Sequence, residues 1–397
     1  MGEAMRILQV VPYFPPAYSF GGPVIISYWI SKELVRKGHE VVVCTTNVKD
    51  FSSTLNVYLE TINGIKVYRF KNISTMLVKK LKLFLTPHMA SYLDKYLKNF
   101  DIVHLHGYRT YQNTIIHKYA KRYGIPYILQ PHGSLIKVEA WKRLKQIYDW
   151  LIGYKLLQDA SKVIALSQFE MKRCINMRIS GEKIAIIPNG IDLSEYRNIP
   201  PKGSFKQKYD ILEDKKIILY LGRLHRTKRI DLLIRAYAYL TNNMKFKDSI
   251  LVIAGPDDGY FKEAKLLTNN LGISNSVVFT GFMDSKDKIK ALVDADVFVT
   301  PSFYGFPITF LEACAVGTPI VTTNLGDTLE WINKVGYVTK PTISDISKAI
   351  YQILSDNKIH RKFSQNCKKL VQTDFSIENI ANKLEEVYKK CLSNGKI

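Results

Sequence analysis

Residues 297–313, with the sequence VFVTPSFYGFPITFLEA, decide the fold class of this chain. The first four residues form a short apolar run rich in β-branched side chains, which predicts a buried strand. A glycine-containing loop follows, and Pro307 is well placed for the first turn of a helix. Strand, loop and helix in this order are typical of parallel sheets covered by helices.

The same alternation of short Val- and Ile-rich runs with helical patterns extends along most of the 397 residues. It predicts two series of parallel strands, at residues 6–11, 40–45, 102–105, 126–130, 162–166 and 184–187, and then at 216–221, 249–254, 277–280, 297–300 and 319–322. The predicted fold class is α/β, with two doubly wound, Rossmann-like domains that face each other across a cleft.

The domain boundary is predicted near residue 200, because residues 197–216 contain prolines, a glycine and mixed charge but little apolar periodicity. We therefore expect an N-terminal domain over residues 1–200 and a C-terminal domain over residues 201–375. Residues 376–397 follow, with a serine as candidate N-cap and apolar residues at helical spacing, which predicts a terminal amphipathic helix.

The chain is strongly basic, with a net charge of +22, and the charge is concentrated in one segment. Residues 61–155 hold 17 Lys or Arg against four acidic residues, which indicates attraction to nucleic acid, an anionic membrane or a phosphorylated substrate; a general bias of the surface is the alternative. No recognisable nucleic-acid-binding motif is present. The five scattered cysteines show no ligand spacing and predict reduced thiols in a cytoplasmic protein, with no signal peptide or spanning helix.

In the second series, two loops that follow strands carry candidate site residues. Residues 222–229 supply Arg223 and Lys228 just before a helix, which suits a pyrophosphate that is neutralised without a metal. Residues 305–309 (Gly305, Phe306, Pro307, Ile308 and Thr309) enter a helix whose free amides favour an anion. Glu312 lies within that apolar helix, where a carboxylate needs a partner such as a ribose diol.

In the first series, Gly21 and Gly22 precede a helix and favour either phosphate contact or an ordinary turn. His104 and His106 share one face of a strand, and His132 ends the next strand. No third metal ligand is near the histidines, so His106 and His132 are expected to bind sugar hydroxyls.

Motifs for other chemistries are absent or poorly placed. The chain has no P-loop and no G-x-G-x-x-G fingerprint, which disfavours P-loop nucleotide hydrolysis and nicotinamide binding. Asp294 and Asp296 have the spacing of a metal-binding D-x-D pair but precede a buried strand. We therefore predict no metal site and no cofactor, with a nucleotide sugar as co-substrate.

Together these motifs resemble GT-B fold glycosyltransferases of family 4, which are retaining, nucleotide-sugar-dependent enzymes. The resemblance covers nearly the whole chain and rests on combined motifs, among them Gly21-Gly22, the strand with His104 and His106, His132-Gly133, residues 187–192, Gly222-Arg223 with Lys228, and residues 301–321.

The resemblance implies that the first domain binds the acceptor and the second the donor. It implies that Arg223 and Lys228 neutralise the diphosphate, that Glu312 holds the ribose, and that Phe282 and Met283 flank the base. Gly22 and the amides near Ile308 would approach the phosphates, and His106, with Gly21 and His132 nearby, would contact a sugar or the acceptor. The terminal helix would pack on the first domain.

One departure from the family concerns its first glutamate, which usually precedes the second by eight positions and contacts the donor sugar. In this chain Tyr304 stands eight positions before Glu312, and the acid is deleted. This leaves the identity of the sugar open. Two alternatives therefore stand beside a transferase: a sugar-nucleotide epimerase on the same fold and a catalytically silent partner subunit.

Residues 130–166, which include Trp141, further resemble members that build polysaccharides or lipid-linked oligosaccharides. Residues 76–85 combine lysines with apolar residues at helical spacing, which favours either a helix on an anionic membrane or an ordinary surface helix. The expected partners are a nucleotide sugar, a glycan or lipid-linked acceptor and the inner face of the cell membrane, without nucleic acid.

Overall fold

A computed structural model describes residues 3–135 and 142–394. Trp141 and part of the stretch 130–166 lie outside the described residues, as do both chain ends. The chain divides into two compact units, Met1–Gly190 with Ile377–Ile397, and Ile191–Ser376. The division between the units falls ten residues before the boundary that the linker composition predicted. Residues 191–200 therefore belong to unit 2.

Unit 1 is built on an eight-stranded sheet in which all neighbours are parallel except the antiparallel pair β3 and β4. The order is β3-β4-β2-β1-β5-β6-β7-β8. The strands are β1 (Arg6–Val10), β2 (Glu40–Thr46), β3 (Leu59–Ile62), β4 (Ile65–Phe70), β5 (Ile102–His106), β6 (Tyr127–Gln130), β7 (Lys162–Ala165) and β8 (Ile184–Ile186).

The hairpin of β3 and β4 extends the predicted series at one sheet edge. Asn63 and Gly64 join the two strands with positive φ angles of 49° and 80°, as a two-residue hairpin requires. The helices of unit 1 that precede residue 190 are α1 (Gly22–Arg36), α2 (Thr75–Leu81), α3 (Pro87–Tyr96), α4 (Tyr111–Tyr123), α5 (Lys142–Tyr148), α6 (Tyr154–Asp159) and α7 (Gln168–Asn176).

Unit 2 is a six-stranded, fully parallel sheet in the order β11-β10-β9-β12-β13-β14, the strand order of a Rossmann fold. Its strands are β9 (Lys216–Leu221), β10 (Ser249–Ala254), β11 (Val277–Gly281), β12 (Val297–Phe303), β13 (Ile320–Gly326) and β14 (Gly336–Thr339). The helices are α8 (Ser204–Lys208), α9 (Ile230–Asn242), α10 (Phe261–Asn270), α11 (Ser285–Asp294), α12 (Ile308–Val316), α13 (Ile343–Ser355) and α14 (Asn357–Thr373).

The strand that decided the fold class is longer than the sequence predicted. β12 continues through Pro301 to Phe303, and Pro307 stands at the N-cap of α12 rather than in its first turn. Pro301 lies where the pairing of β12 with β13 is irregular. No backbone N–H is needed as a donor at this point, so proline is tolerated within the strand. The loop that can face a ligand is therefore short, at residues 304–307.

Each sheet reverses its winding beside its first strand, between β1 and β5 in unit 1 and between β9 and β12 in unit 2. The loops that follow these strands diverge there and leave a crevice at the carboxyl ends. Apolar side chains cover both faces of each sheet and form a separate core in each unit. All five cysteines are free and buried within these units.

The last helix, α15 (Ile377–Asn394), belongs to unit 1 and packs on α1. Its apolar face is buried at Ile380, Leu384 and Tyr388. In the part of the chain that the structure describes, neither this helix nor any other combines the length and the apolarity needed to cross a bilayer.

A carboxylate fastens α15 to the end of α1. Glu385 lies 2.9 Å from the Lys37 ammonium and 2.5 Å from that of Lys389. Burial tends to raise the pKa of Glu385, but the two lysines outweigh burial and lower it from 4.5 to about 2. The folded state therefore favours the ionised carboxylate.

We predict that Glu385→Gln lowers the free energy of unfolding by about 2 kcal/mol at pH 7. Because the pKa of Glu385 is lower in the folded chain than in the unfolded chain, this contribution is complete above about pH 4.5 and is lost as the pH falls toward 2. Urea unfolding at pH 7, 5 and 4 measures it. The matched control is Glu386→Gln on the exposed face of the same helix; equal effects of both changes at pH 7 would contradict the assignment.

Candidate functional site

In unit 2, the loop that follows β9 is shaped by a close approach of two chain segments. The Gly222 amide donates to the Ala254 carbonyl at 2.9 Å. Gly255 has a φ of 139°, and a Cβ atom there would lie 1.9 Å from the Gly222 carbonyl oxygen. Only glycine fits at position 255. The ends of β9 and β10 are therefore held together, which fixes where residues 223–229 begin.

The cations of this loop fall into two classes. Lys228 is half-buried and has no ion-pair partner among the residues that the structure describes. Each arginine, in contrast, faces a carboxylate. The pairs are Arg223 with Asp258, Arg226 with Glu263 at 2.5 Å, and Arg229 with Asp231 at 3.0 Å.

Burial and, to a smaller extent, the charge of Arg223 lower the pKa of Lys228 from 10.5 to about 8. A partly desolvated ammonium beside another cation is unfavourable unless an anion joins them. The short 3-10 turn Arg226–Lys228 packs against β12, whose end begins the second loop. The structure thus brings Arg223 and Lys228 together at the winding reversal of unit 2, and this place suits an anion.

The second loop, residues 304–307, is held by an aspartate that the sequence analysis did not select. Asp327 Oδ2 accepts a hydrogen bond of 2.7 Å from the Gly305 amide. Gly305 has a φ of 76° and Gly326 a φ of 95°, where a Cβ atom would lie 2.3 Å from the Phe303 carbonyl oxygen. The Gly305 N–H is therefore committed to the protein, so Gly305 serves as a turn residue rather than as an anion ligand.

The other residues of this loop have distinct environments. Tyr304 is exposed, whereas Phe306 is buried against Trp331 and Phe375, with ring centroids 5.9 and 5.7 Å away. The Phe306 side chain is thus a core group that anchors the loop. The N-cap residue of α12, Pro307, offers no side-chain cap, so the amides of Ile308 and Thr309 lie at an N-terminus that favours negative charge.

Glu312, in the second turn of α12, is buried, and the structure supplies partners for it. Lys288 Nζ lies 2.5 Å from Glu312 Oε1. The Tyr196 hydroxyl also bonds to Glu312; burial first, and then the neighbouring carboxylate, raise the Tyr196 pKa. The carboxylate is therefore oriented by two groups, neither of which the sequence pattern indicated. Lys288 and Tyr196 are distant in sequence and carry no motif.

The loop that follows β11 carries the residues expected to flank a base. Phe282 is 73% exposed and Met283 is half-buried. Gly281 has a φ of 70° and its carbonyl accepts from the Gly255 amide at 2.8 Å. An exposed aromatic ring at the carboxyl end of a strand is available for stacking.

The paired aspartates that precede β12 are used by the fold. Asp294 accepts the amides of Gly203, Phe205 and Lys206 at 2.6 to 3.0 Å, and so caps α8. Asp296 accepts the Ile217 amide at 2.9 Å. Within residues 3–135 and 142–394, no group of three or more His, Cys, Asp or Glu side chains has the arrangement of a metal site.

In unit 1, Gly21 and Gly22 start α1. Gly21 has a φ of 81° and is the N-cap, and no side chain caps this helix either. Gly22 occupies its first position, ahead of Pro23. The requirement at Gly21 is thus for backbone conformation, and the uncapped N-terminus is open to a polar ligand.

Three histidines of unit 1, His104, His106 and His132, form a stack at the carboxyl ends of β5 and β6. His106 and His132 lie with ring centroids 5.1 Å apart, and His106 Nδ1 is 2.8 Å from His132 Nε2. Burial lowers the pKa of His132 to about 3 and places that of His106 well below its usual value. Both imidazoles are therefore neutral at physiological pH. His106 is buried, whereas His132 is only partly buried and ends the stack.

Glu170 positions His132, and sequence analysis missed it. Its two carboxylate oxygens accept from the amides of Gly133, at 2.6 Å, and Leu166, at 2.8 Å. These two hydrogen bonds fix the chain on either side of the site, and His132 is held at a φ of 53°, in the left-handed region. The signal was present as a capping box, in which Ser167 precedes Glu170 by three residues at the start of α7.

We predict that Lys288→Met destabilises unit 2 by about 3 kcal/mol, because it leaves the buried Glu312 carboxylate without its cation. Glu312→Gln in the same chain should recover part of that loss, since a neutral amide needs no counter-ion. Urea unfolding of both single variants and the double variant measures the coupling. Additive losses would show that Lys288 does not orient Glu312.

Comparisons with known proteins agree with this arrangement. The family described as Glycosyl transferases group 1 matches residues 201–370, and Glycosyltransferase Family 4 matches residues 20–195. The chain is 31% identical to glycosyltransferase MJ1607 of Methanocaldococcus jannaschii, over 97% of this chain and 98% of the relative. It is 27% identical to UDP-Gal:alpha-D-GlcNAc-diphosphoundecaprenol alpha-1,3-galactosyltransferase of Escherichia coli, over 80% of this chain and 81% of that enzyme.

Among solved structures, Anabaena HepE in complex with UDP and glucose superposes with a TM-score of 0.74 over 97% of this chain and all of that one, at 18% identity. WaaG, a glycosyltransferase of lipopolysaccharide biosynthesis, gives 0.68 over 96% and 99% of the two chains, at 16% identity. These likenesses establish the GT-B fold. The sequence matches establish more: the chain belongs to the family 4, group 1 glycosyltransferases and is a transferase.

Proposed function

We propose that this enzyme transfers a sugar, with retention of anomeric configuration, from a nucleoside diphosphate sugar to a glycan or lipid-linked acceptor. The observation that carries the proposal is Lys228, the one cation of residues 222–229, all of them described, that lacks a carboxylate partner. A diphosphate supplies the missing negative charge. The family assignment gives no support to the sugar-nucleotide epimerase alternative.

Charge at the leaving group explains how unit 2 would promote transfer. As the glycosidic bond to the donor breaks, negative charge grows on the diphosphate, and fixed positive groups stabilise it. Arg223 and Lys228 supply two such groups, and the uncapped N-terminus of α12 adds amides at Ile308 and Thr309. We propose that this set performs the task that a divalent cation has in other transferases, and that no metal is needed.

The remaining donor contacts follow from groups already oriented. Glu312, held by Lys288 and Tyr196, keeps acceptor capacity for a ribose hydroxyl, because a carboxylate has about four lone-pair directions and two are used. The exposed ring of Phe282 would stack against the base. Tyr304 is the exposed side chain of the loop where the family has an acid, and it would offer a hydroxyl to the transferred sugar.

His106 and His132 of unit 1 are proposed to contact sugar hydroxyls rather than phosphate. Both of these imidazoles are neutral, so they favour hydroxyl groups over anions. A lipid-linked acceptor is supported by the Escherichia coli relative, whose name specifies a diphosphoundecaprenol substrate. We propose that the enzyme acts on the cytoplasmic side, in polysaccharide or glycoconjugate synthesis.

We predict that transfer survives EDTA, whereas Lys228→Ala or Arg223→Ala each lowers turnover by about 10² to 10³. The matched control is Arg226→Ala in the same loop, whose partner is the exposed Glu263, and it should change turnover little. The assay monitors release of nucleoside diphosphate from a panel of nucleotide sugars. If EDTA abolished transfer and manganese restored it, the phosphate clamp would be wrong. No turnover with any donor would instead favour the silent partner subunit.

Unit 1 also presents an apolar surface of the kind that binds lipid. Four large apolar side chains on α5 and the turn after it are exposed, and Trp150 is 76% exposed. The set is Leu144, Ile147, Trp150 and Leu151, and exposed basic neighbours are Lys142 and Arg143. This combination is typical of a helix at a charged membrane interface.

Hydrogen bonds anchor the exposed segment to the body of unit 1. Asp149, at the centre of the segment, is buried and accepts from Arg109 at 2.9 Å and from the Tyr108 hydroxyl at 3.0 Å. On α2, Met76 and Leu81 are also exposed, together with Lys79 and Lys80. We propose that these two segments of unit 1 rest on the anionic inner face of the cell membrane.

We predict binding to anionic vesicles, but not to vesicles of neutral lipid, with weakening as salt rises. Changing Lys79, Lys80 and Lys82 to Glu should abolish binding, and Trp150→Ala should weaken it. A flotation assay measures both. As a control, Lys358, Lys362 and Lys369 of α14 changed to Glu alter the net charge equally and should leave binding intact. Equal loss from both triple changes would show that only net charge matters.

A further inference from the structure

The turn that carries His132 has an uncommon backbone conformation. The Pro131 carbonyl accepts the Ser134 amide at 3.1 Å and the Ser134 hydroxyl at 2.5 Å, so residues 131–134 form a tight turn. Its two central residues, His132 and Gly133, have positive φ angles of 53° and 78°. Glycine adopts such angles freely, whereas a residue with a Cβ atom does so only where its surroundings impose them. His132 therefore depends on neighbouring groups that hold this turn.

Arg109, in the loop after β5, supplies such a group. Its Nη1 donates to the Ser134 carbonyl at 2.7 Å, and its Nη2 donates to the Leu135 carbonyl at 3.4 Å. A guanidinium can only donate and a carbonyl can only accept, so the direction of both hydrogen bonds is fixed by chemistry. Arg109 thus holds the outgoing end of the turn, while Glu170 holds the Gly133 amide within it.

Asp149 fixes the guanidinium from its other edge. Arg109 Nε and Nη2 each lie 2.9 Å from one oxygen of this carboxylate, which is a bidentate pair with a defined geometry. The Tyr108 hydroxyl also donates to Asp149, at 3.0 Å, and the centroid of its ring lies 4.6 Å from Arg109 Cζ. The Asp149 side chain is fully buried and that of Arg109 is 9% exposed, so water competes little for these contacts.

The loop that bears Arg109 is itself held at the end of β6. The Gly107 amide donates to the Gln130 carbonyl at 2.8 Å, and the Gly107 carbonyl accepts from Asn113 Nδ2 at 2.9 Å. Arg109 has a φ of 59°, so it also lies in the left-handed region. The Arg109 side chain therefore joins two loops that each contain a non-glycine residue with this conformation. Backbone strain of this kind is typical of functional sites and persists only where several contacts impose it.

We propose that Arg109 is a positioning residue, which holds the turn of residues 131–134 and thereby sets where the His132 imidazole meets the substrate. Arg109 acts through the backbone of the turn, because Asp149 already neutralises its charge within the protein. The substrate is one that offers a hydroxyl group to a neutral imidazole. Its identity as a sugar rests on the proposed function, whereas the role of Arg109 in holding the turn does not.

The test compares Arg109→Lys with Tyr148→Phe. Lysine keeps the positive charge, but a single ammonium group cannot reproduce the fork that reaches a carboxylate and two carbonyls. Tyr148→Phe is the matched control, because it removes a hydroxyl that lies 3.1 Å from Thr114 Oγ1, on the residue next to Asp149 but outside these contacts. Should Arg109→Lys fail to fold, Asp149→Asn takes its place, because it removes the ionic contact and keeps an oxygen at the same position.

The first measurement is amide hydrogen exchange of the full-length protein, followed by NMR at Gly133 and Ser134. These two amides donate to Glu170 and to the Pro131 carbonyl, so their exchange rates report whether the turn is closed. We expect Arg109→Lys to speed exchange at both amides about tenfold, the effect of one lost hydrogen bond, and to leave the amides of β1 and β5 unchanged. Tyr148→Phe should change none of these rates.

The second measurement is a double-mutant cycle in kcat/KM for transfer, with His132→Gln as the second change. If Arg109 acts through His132, Arg109→Lys should lower kcat/KM about tenfold in the unchanged protein but less than about twofold in the His132→Gln background. A structural loss that does not pass through His132 would instead lower kcat/KM by the same factor in both backgrounds. Tyr148→Phe should leave kcat/KM unchanged.

Two results would overturn the positioning role: unchanged exchange at Gly133 and Ser134 in Arg109→Lys, or equal losses of kcat/KM in the two backgrounds. If the exchange rates change as expected but the unchanged protein transfers no sugar from any donor, Arg109 still holds the turn and the proposed function fails.

Discussion

The arrangement of both units depends on one constraint of parallel sheets, which is that the connections on either side of the first strand leave in opposite directions. In unit 1 this strand is β1, and in unit 2 it is β9. The loops that follow the two central strands of each sheet therefore separate at the carboxyl edge. Every residue to which we assign a role on a substrate lies in or beside a loop at the carboxyl edge of its sheet.

The same topology carries different chemistry in the two units. In unit 2 the edge is cationic. Lys228, which has no carboxylate partner among the described residues, lies on a turn that packs against β12, the strand before α12. In unit 1 the edge holds imidazoles that burial keeps neutral and that contact each other. A charged diphosphate suits the first environment and a sugar hydroxyl the second. The division of labour between the units thus follows from burial and pairing of individual side chains.

Sequence periodicity was sufficient for most of the parallel strands, because those strands are continuous apolar runs. It did not reveal β14, which is four residues long, or the two hairpin strands β3 and β4, of which β3 has only exposed or half-buried residues. Loops after strands were selected as candidate positions, and their role in binding stays a prediction. Arg223 and Lys228 stood out because charge there is visible in the sequence.

The partners of those residues were not predictable from sequence. Lys288 and Tyr196 reach Glu312 from separate elements, and Asp327 reaches Gly305 from the next strand. Such contacts depend on the three-dimensional packing of α11, α12 and β13, and leave no spacing pattern. Tertiary structure likewise decides which of the four cations in residues 222–229 lacks a carboxylate partner, because nothing in the local sequence distinguishes them in this respect.

The central claim is that the Lys228 ammonium forms an ion pair with the diphosphate of the donor. Its pKa of about 8 in the free protein must rise when a diphosphate binds, so binding must take up protons and the affinity must fall as the pH increases above 8. Calorimetric titration with UDP and GDP, in buffers of different ionisation enthalpy at pH 8 and pH 9, measures the uptake. The account predicts uptake of about half a proton at pH 8, a larger value at pH 9, and none in Lys228→Arg. Tight binding whose heat is independent of the buffer at both pH values would contradict it.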